Sequence, residues 1–160
     1  QQWSLRIIGD GPEMETLRAQ AERLGVEADF RGAVAPEEIP AHMAGSVIGV
    51  APYPDLGGRD QQYFSPMKVL EYLAAGLAVV ASDVGQIPQL LEEGPQLHGV
   101  LVAPSDPTAL AAALDDLAAS PQRRARMGRN GRLLAEERHS WRQVVTQILG
   151  LAGVAQGGGR

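Results

Sequence analysis

Tyr63-Phe64-Ser65-Pro66-Met67-Lys68-Val69-Leu70-Glu71-Tyr72-Leu73-Ala74-Ala75-Gly76 reads as the entry, body and end of one helix, and the other elements arrange themselves around it. The Ser65 hydroxyl can cap an unpaired N–H, and Pro66 suits the first helical position because no N–H partner is needed there. Met67, Leu70, Leu73 and Ala74 recur at three- and four-residue spacing as one apolar stripe expected to face the core, and Gly76 supplies a left-handed stop. Lys68 breaks the pattern. At the third helical position a glutamate would complement the positive helix end, so a lysine there costs stability without local benefit. Such a violation points to function, and a helix start reinforced by a lysine suits an anion such as phosphate. Glu71, one turn further on, could accept hydrogen bonds from hydroxyls on whatever carries that phosphate, which describes a nucleotide. A solvated Lys68–Glu71 pair at i,i+3 fits the same helix mechanics equally well.

Ser-Pro-x-Lys-x-x-Glu-Tyr-x-Ala-Ala-Gly is followed by Ala78-Val79-Val80-Ala81-Ser82-Asp83-Val84-Gly85. With Leu5 to Glu13, Phe30 to Val34, Val50 to Tyr53 and Gly99 to Val102 in the same order, the pattern resembles the C-terminal domain of group 1 (family 4, retaining, GT-B fold) glycosyltransferases, over about residues 4 to 145. The resemblance implies binding of a nucleotide-diphosphate sugar, usually a UDP- or GDP-sugar, with no cofactor and no metal. It implies that Glu71 matches the second glutamate of the family's Glu-x7-Glu motif and holds the donor ribose. Ser65, Pro66, Met67 and Lys68 match the turn facing the diphosphate and sugar, while Gly32, Ala33 and Val34 match the loop beside the base. Gly9 and Gly11 of the first glycine-rich turn complete the donor-binding candidates. Tyr63 and Lys68 are the catalytic candidates, and Tyr63 departs from the pattern because it stands where the family has its first glutamate. A helix N-terminus plus a lysine can stabilise a diphosphate leaving group without a metal, whereas Tyr63 can donate a hydrogen bond but carries no charge at neutral pH.

The resemblance also marks absences: the acceptor-binding N-terminal domain, and the donor domain's first strand with the Arg and Lys that contact the diphosphate. The expected partners are therefore the donor and an N-terminal domain of a longer chain, and the isolated piece is expected to be inactive. In a doubly wound sheet ordered 3-2-1-4-5-6, losing strand 1 would leave two unpaired edges, to be closed by the halves meeting or by another segment. Gln1 opens the chain where a methionine would open a complete one, which reads as a piece of a longer or processed protein.

At 160 residues the chain is long enough for one domain with a real core, and 44% hydrophobic with 21% charged residues is ordinary for a globular protein. We expect a domain over residues 1–150 and a flexible tail over 151–160. A net charge of −5 argues against a nucleic-acid or anionic-membrane surface. Without cysteine there is no disulfide framework and no thiolate chemistry, which fits a cytoplasmic protein. His42, His98 and His139 lack ligand spacing, so no zinc site is expected. No apolar run approaches the ~20 residues needed to span a bilayer.

Along the chain, Trp3–Ile8 is a strand that runs into Gly9-Asp10-Gly11-Pro12, and a helix with Met14, Leu17, Ala21 and Leu24 buried ends at Gly25. A third glycine would be needed at Met14 for a dinucleotide fingerprint, so that reading fails. Further strands are expected at Ala28–Arg31, Val47–Ala51, Leu77–Ser82 and Gly99–Ala103, and further helices at Pro36–Ala44, from Ile87 to Glu93 and at Pro107–Leu117. The helix from Pro121 carries Arg123, Arg124, Arg126, Arg129 and Arg132, read as a solvated or interdomain face. A last helix is expected to turn Trp141, Val144, Val145 and Ile148 inward. Pro52 to Gln62 is a long loop ahead of the Lys68 helix. The fold expected is α/β, a doubly wound parallel sheet (Rossmann-like) in three αβα layers, with its site at the strands' C-terminal ends. Two alternatives stand beside a transferase: a nucleotide-sugar-binding domain that has lost catalysis, which Tyr63 favours, and a sugar-nucleotide epimerase-like domain. The latter calls for a histidine at the site, and none adjoins Ser65–Glu71 in sequence.

Overall fold

The computed structural model describes residues 3–57, 65–92, 94 and 96–153. The chain forms two compact units, residues 1–44 and 45–160. In the first, β1 (Leu5–Ile7) pairs in parallel with β2 (Ala28–Phe30), with α1 (Met14–Arg23) as the crossover. Arg31 N–H donates to the Ile7 carbonyl (2.9 Å) and Gly9 N–H to the Gly32 carbonyl (2.8 Å), which continues the pairing past both strands. A 3-10 turn (Pro36–Glu38) leads into α2 (Ile39–Met43). Arg6 ties these elements together by donating from Nε to Asp29 (3.0 Å) and from Nη1 to the His42 carbonyl (2.7 Å), while Arg31 Nε reaches the same carboxylate (2.8 Å).

The second unit holds β3 (Ile48–Ala51), α3 (Met67–Ala74), β4 (Ala78–Ser82), α4 (Ile87–Leu91), β5 (Gly99–Val102), α5 (Pro107–Ala119), α6 (Pro121–Arg138) and α7 (Trp141–Leu151). Its strands are parallel in the order β3-β4-β5. Every residue of β4 is buried, as the continuous apolar run Ala78–Ala81 requires of a central parallel strand. Val79 and Ala81 enter a core with Val69 and Leu73 of α3, Ile87 and Leu91 of α4, and Leu134 of α6. Ala78 and Val80 enter a second core, on the opposite face, with Leu117 of α5 and Met127 of α6. Helices thus cover both faces, the α/β arrangement expected. The five strands form two sheets, so β1 and β3 each have one edge without a strand partner among the described residues.

Where α6 crosses the end of α3, backbone meets backbone. A Cβ on Gly128 would overlap the Gly76 carbonyl oxygen, and one on Gly131 would stand 2.6 Å from Leu73 Cδ2. Gly76 itself closes α3 at φ +72°, as its sequence position requires. Asp106 caps α5, its Oδ1 accepting from the N–H groups of Thr108 (3.0 Å) and Ala109 (2.9 Å).

Several expected faces differ. Within α1 no residue is buried, and Leu17 and Leu24 are exposed, because the small first unit offers little for an apolar stripe to pack on. Trp141 is 79% exposed, and Val145 and Ile148 are also exposed, so α7 presents these side chains outward rather than anchoring the core. On α3 the core side chains are Val69 and Leu73, with Leu70 half-buried against them, while Met67 and Ala74 are exposed: the face turned to β4 is centred on the 69–73 pair rather than on the 67–70–74 row. The α6 arginines are mostly a solvated face, as expected, but Arg124 Nη1 also donates to the Ala118 carbonyl (2.8 Å) and Arg132 Nη1 to the Ala74 carbonyl at the end of α3 (2.7 Å). No described helix is long and apolar enough to cross a membrane.

Candidate functional site

The start of α3 differs from the capping expected of Ser65. Pro66 occupies the half-helical entry position with ψ 58°, and no side chain caps the helix. Met67 N–H instead donates to the Ser65 carbonyl at 2.8 Å, a tight turn that the rigid proline ring makes possible and that leaves the Ser65 hydroxyl exposed. Lys68 is therefore the second residue of the helix, not the third. The N–H groups of Lys68 and Val69 have no acceptor among the described residues, so the helix start retains unsatisfied donors beside a lysine.

Lys68 and Glu71 are both exposed and form no ion pair among the described residues. The Lys68 ammonium instead lies over the Tyr53 ring, 5.8 Å from its centroid. Tyr53 follows the C-terminal end of β3 and is half-buried. Burial raises its phenol pKa above the usual value and the Glu71 charge raises it further. Burial likewise raises that of Tyr72, with Tyr53 and Glu71 adding to it. Tyr72 O–H donates to the Val50 carbonyl (3.4 Å), which ties α3 to β3. A cation, a carboxylate and an aromatic ring thus gather where a strand ends and a helix begins, on a rigid base, with the charges exposed. The set can meet an anion, a vicinal diol and a flat or apolar face. The sequence alone did not single out Tyr53 as a site residue; its position two residues after the apolar run of β3 was the available signal.

Of the other candidates, Pro66 is buried beneath this helix start, and Met67 is exposed on it. Tyr63 lies outside the described residues. Gly9, Gly11, Gly32, Ala33 and Val34 belong to the first unit, where Gly9 and Gly32 meet through their backbone hydrogen bond. Both take positive φ, +134° and +69°, which explains glycine at each. Gly11 N–H is held by the Asp10 carboxylate at 2.8 Å. Ala33 is exposed and Val34 half-buried. No three His, Asp or Glu side chains converge as metal ligands would among the described residues.

Residues 1–120 match the family described as Glycosyl transferases group 1. The chain is 36% identical over 142 residues to a GDP-mannose-dependent alpha-(1-6)-phosphatidylinositol monomannoside mannosyltransferase of Mycolicibacterium smegmatis, covering 87% of this chain and 36% of that protein. It is 32% identical over 157 residues to a phosphatidyl-myo-inositol mannosyltransferase of Mycobacterium tuberculosis, covering 97% of this chain and 39% of that protein. Among solved structures, Anabaena HepE in complex with UDP superposes with a TM-score of 0.76 at 24% identity, over 92% of this chain and 40% of that one, a likeness of fold. The chain thus spans little more than a third of the length of the relatives it matches.

Proposed function

The chain belongs to the group 1 glycosyl transferases, and from that premise we propose that its second unit contributes to the donor site of a retaining enzyme that transfers a sugar from a nucleotide diphosphate to an acceptor hydroxyl. The observation that supports this most is the start of α3, where Lys68 and two N–H groups without an acceptor among the described residues stand one turn from Glu71, which forms no ion pair among them. In transfer, the bond from the anomeric carbon to the diphosphate oxygen breaks, a bond from that carbon to the acceptor oxygen forms, and the acceptor hydroxyl loses its proton. Negative charge grows on the departing diphosphate, which Lys68 and the helix start would stabilise. Glu71 would accept the ribose hydroxyls. On this reading Ser65, Pro66 and Met67 shape the turn against the diphosphate, and the resemblance assigns Gly9, Gly11 and Gly32–Val34 of the first unit to donor binding as well. Tyr63 stands in the charged position of the family motif. An acceptor-binding domain of the full-length protein would complete the site in the cytoplasm, where nucleotide sugars are made.

GDP is the first nucleotide to test, because a relative at 36% identity is named for GDP-mannose, and UDP is the second. Calorimetric titration of the chain with each should show saturable binding to one. Both Lys68→Ala and Glu71→Ala should weaken it at least about tenfold, since each removes a charge-assisted hydrogen bond of ~1.5–3 kcal/mol. Binding by the parent that neither variant alters would remove α3 from the donor site.

A further inference from the structure

A cavity of about 250 Å³ opens at the C-terminal ends of all three strands of the second unit, and none of Ser65–Glu71 lines it. Its walls are apolar: Pro52 and Pro54 after β3, Val102 at the end of β5, and Pro107 and Leu110 at the start of α5. Its floor is not. Ser82, the last residue of β4, is only 2% exposed yet lines the cavity. Alternation along β4 places its side chain on the same sheet face as Val80, the face that packs under α5, which is the side on which Val102 and Leu110 wall the cavity. The Ser82 hydroxyl makes no hydrogen bond among the described residues. A buried hydroxyl without a partner costs free energy, so a retained one calls for a ligand atom.

The polar groups at the rim define that ligand. Ser105, held at φ +57° where a non-glycine residue is strained, presents its hydroxyl, which the Asp55 N–H meets only at 3.4 Å. Asp106 uses Oδ1 for the α5 cap, and no hydrogen bond to its Oδ2 is made among the described residues. All three groups offer oxygen, one of them charged, and no Lys or Arg among the described residues lines the cavity. An anion is therefore disfavoured, and a ligand rich in O–H donors is favoured. Proline and Tyr53 surfaces suit the C–H face of a saturated ring. A volume below the ~300–1,000 Å³ of drug-sized sites admits one ring.

We propose that this cavity is a binding site for a single neutral pyranose, adjoining the nucleotide site at α3 through Tyr53 but holding its ligand by other groups, with Ser82, Ser105 and Asp106 meeting the sugar hydroxyls. The test is titration of the isotope-labelled chain with methyl α-D-mannopyranoside and methyl α-D-glucopyranoside, followed by amide chemical shifts, with inorganic phosphate as a control. Saturable millimolar shifts centred on Ser82, Val102 and Ser105, unchanged by saturating GDP or UDP and not reproduced by phosphate, are expected. Ser82→Ala should weaken binding about two- to tenfold, the equivalent of one hydrogen bond. It should also raise the melting temperature by a few degrees, because it removes a buried, unpartnered hydroxyl. Ala103→Trp, at the exposed rim, should block the sugar while leaving the melt unchanged. The proposal is overturned by the absence of saturable shifts, by equal binding in Ser82→Ala, by a stronger response to phosphate, or by displacement with either nucleotide.

Discussion

Replacing Gly128 by alanine tests the crossing of α6 over α3, and with it the support of the Lys68 helix. In an exposed helix this change would stabilise by about 1 kcal/mol through helix propensity. Here the new Cβ would overlap, well inside contact distance, the carbonyl oxygen of Gly76, a backbone atom fixed by the α3 stop and followed directly by buried β4. Separating the two to ordinary contact requires a retreat of roughly 1 Å or more between elements that share Leu73, Leu134 and Ala135 in one core. Overpacking of this kind costs about 1–3 kcal/mol, and an overlap of backbone with backbone belongs at the upper end. Set against the propensity gain, the net loss is about 2 kcal/mol, or about 4–8 °C in melting temperature for a chain of this length. Two further glycines calibrate the result. Gly131→Ala meets Leu73 Cδ2, a terminal methyl that can rotate away, so its net effect should lie near zero. Gly150→Ala in α7 meets nothing within 4 Å and should gain up to about 1 kcal/mol. Thermal and urea melts of the three variants, followed by circular dichroism, give the ranking. A Gly128→Ala protein that melts at or above the parent would refute the close approach.

Asp106→Ala should lower the melting temperature by about 3 °C, since it removes an N-cap worth ~1 kcal/mol, whereas Asp106→Asn should retain most of the stability. The phenols of Tyr53 and Tyr72, raised by burial first and by Glu71 second or third, set an alkaline limit. Their contribution is complete below the ordinary tyrosine value of about 10 and is lost as pH rises through the raised values, because the unfolded phenols release protons first. Glu71→Gln should move the Tyr53 transition to lower pH in an ultraviolet phenolate titration. An unmoved transition would place the carboxylate away from that ring.

Elements governed by local chemistry were legible in the sequence. Ser105-Asp106 before Pro107, either of which could cap, Gly76 after Ala75 and the apolar run Ala78–Ala81 each state their role within a few residues, and the structure places a cap on Asp106, a left-handed stop and a buried central strand there. The α3 site was half legible: Lys68 stood out as a violation, but Tyr53 beneath it depends on how β3 and α3 pack, which spacing does not encode. Faces were the least legible. The spacing of Trp141, Val145 and Ile148 identifies one apolar side of α7, yet periodicity cannot say whether anything covers that side, and among the described residues nothing buries it. Leu17 of α1 and Leu24 at its C-terminal cap repeat the lesson. Ser82 was indistinguishable from its neighbours in sequence, because an unpartnered hydroxyl is a property of surroundings.

Because the five residues of β4 supply side chains to both cores of the second unit, and α6 does so as well through Leu134 and Met127, neither core can loosen without withdrawing support from the other. Opening of that unit is therefore concerted. The amides of Val79, Val80 and Ala81 should be the last to exchange with deuterium, at a rate that reports global unfolding of the unit, while those of α7 exchange through local fraying.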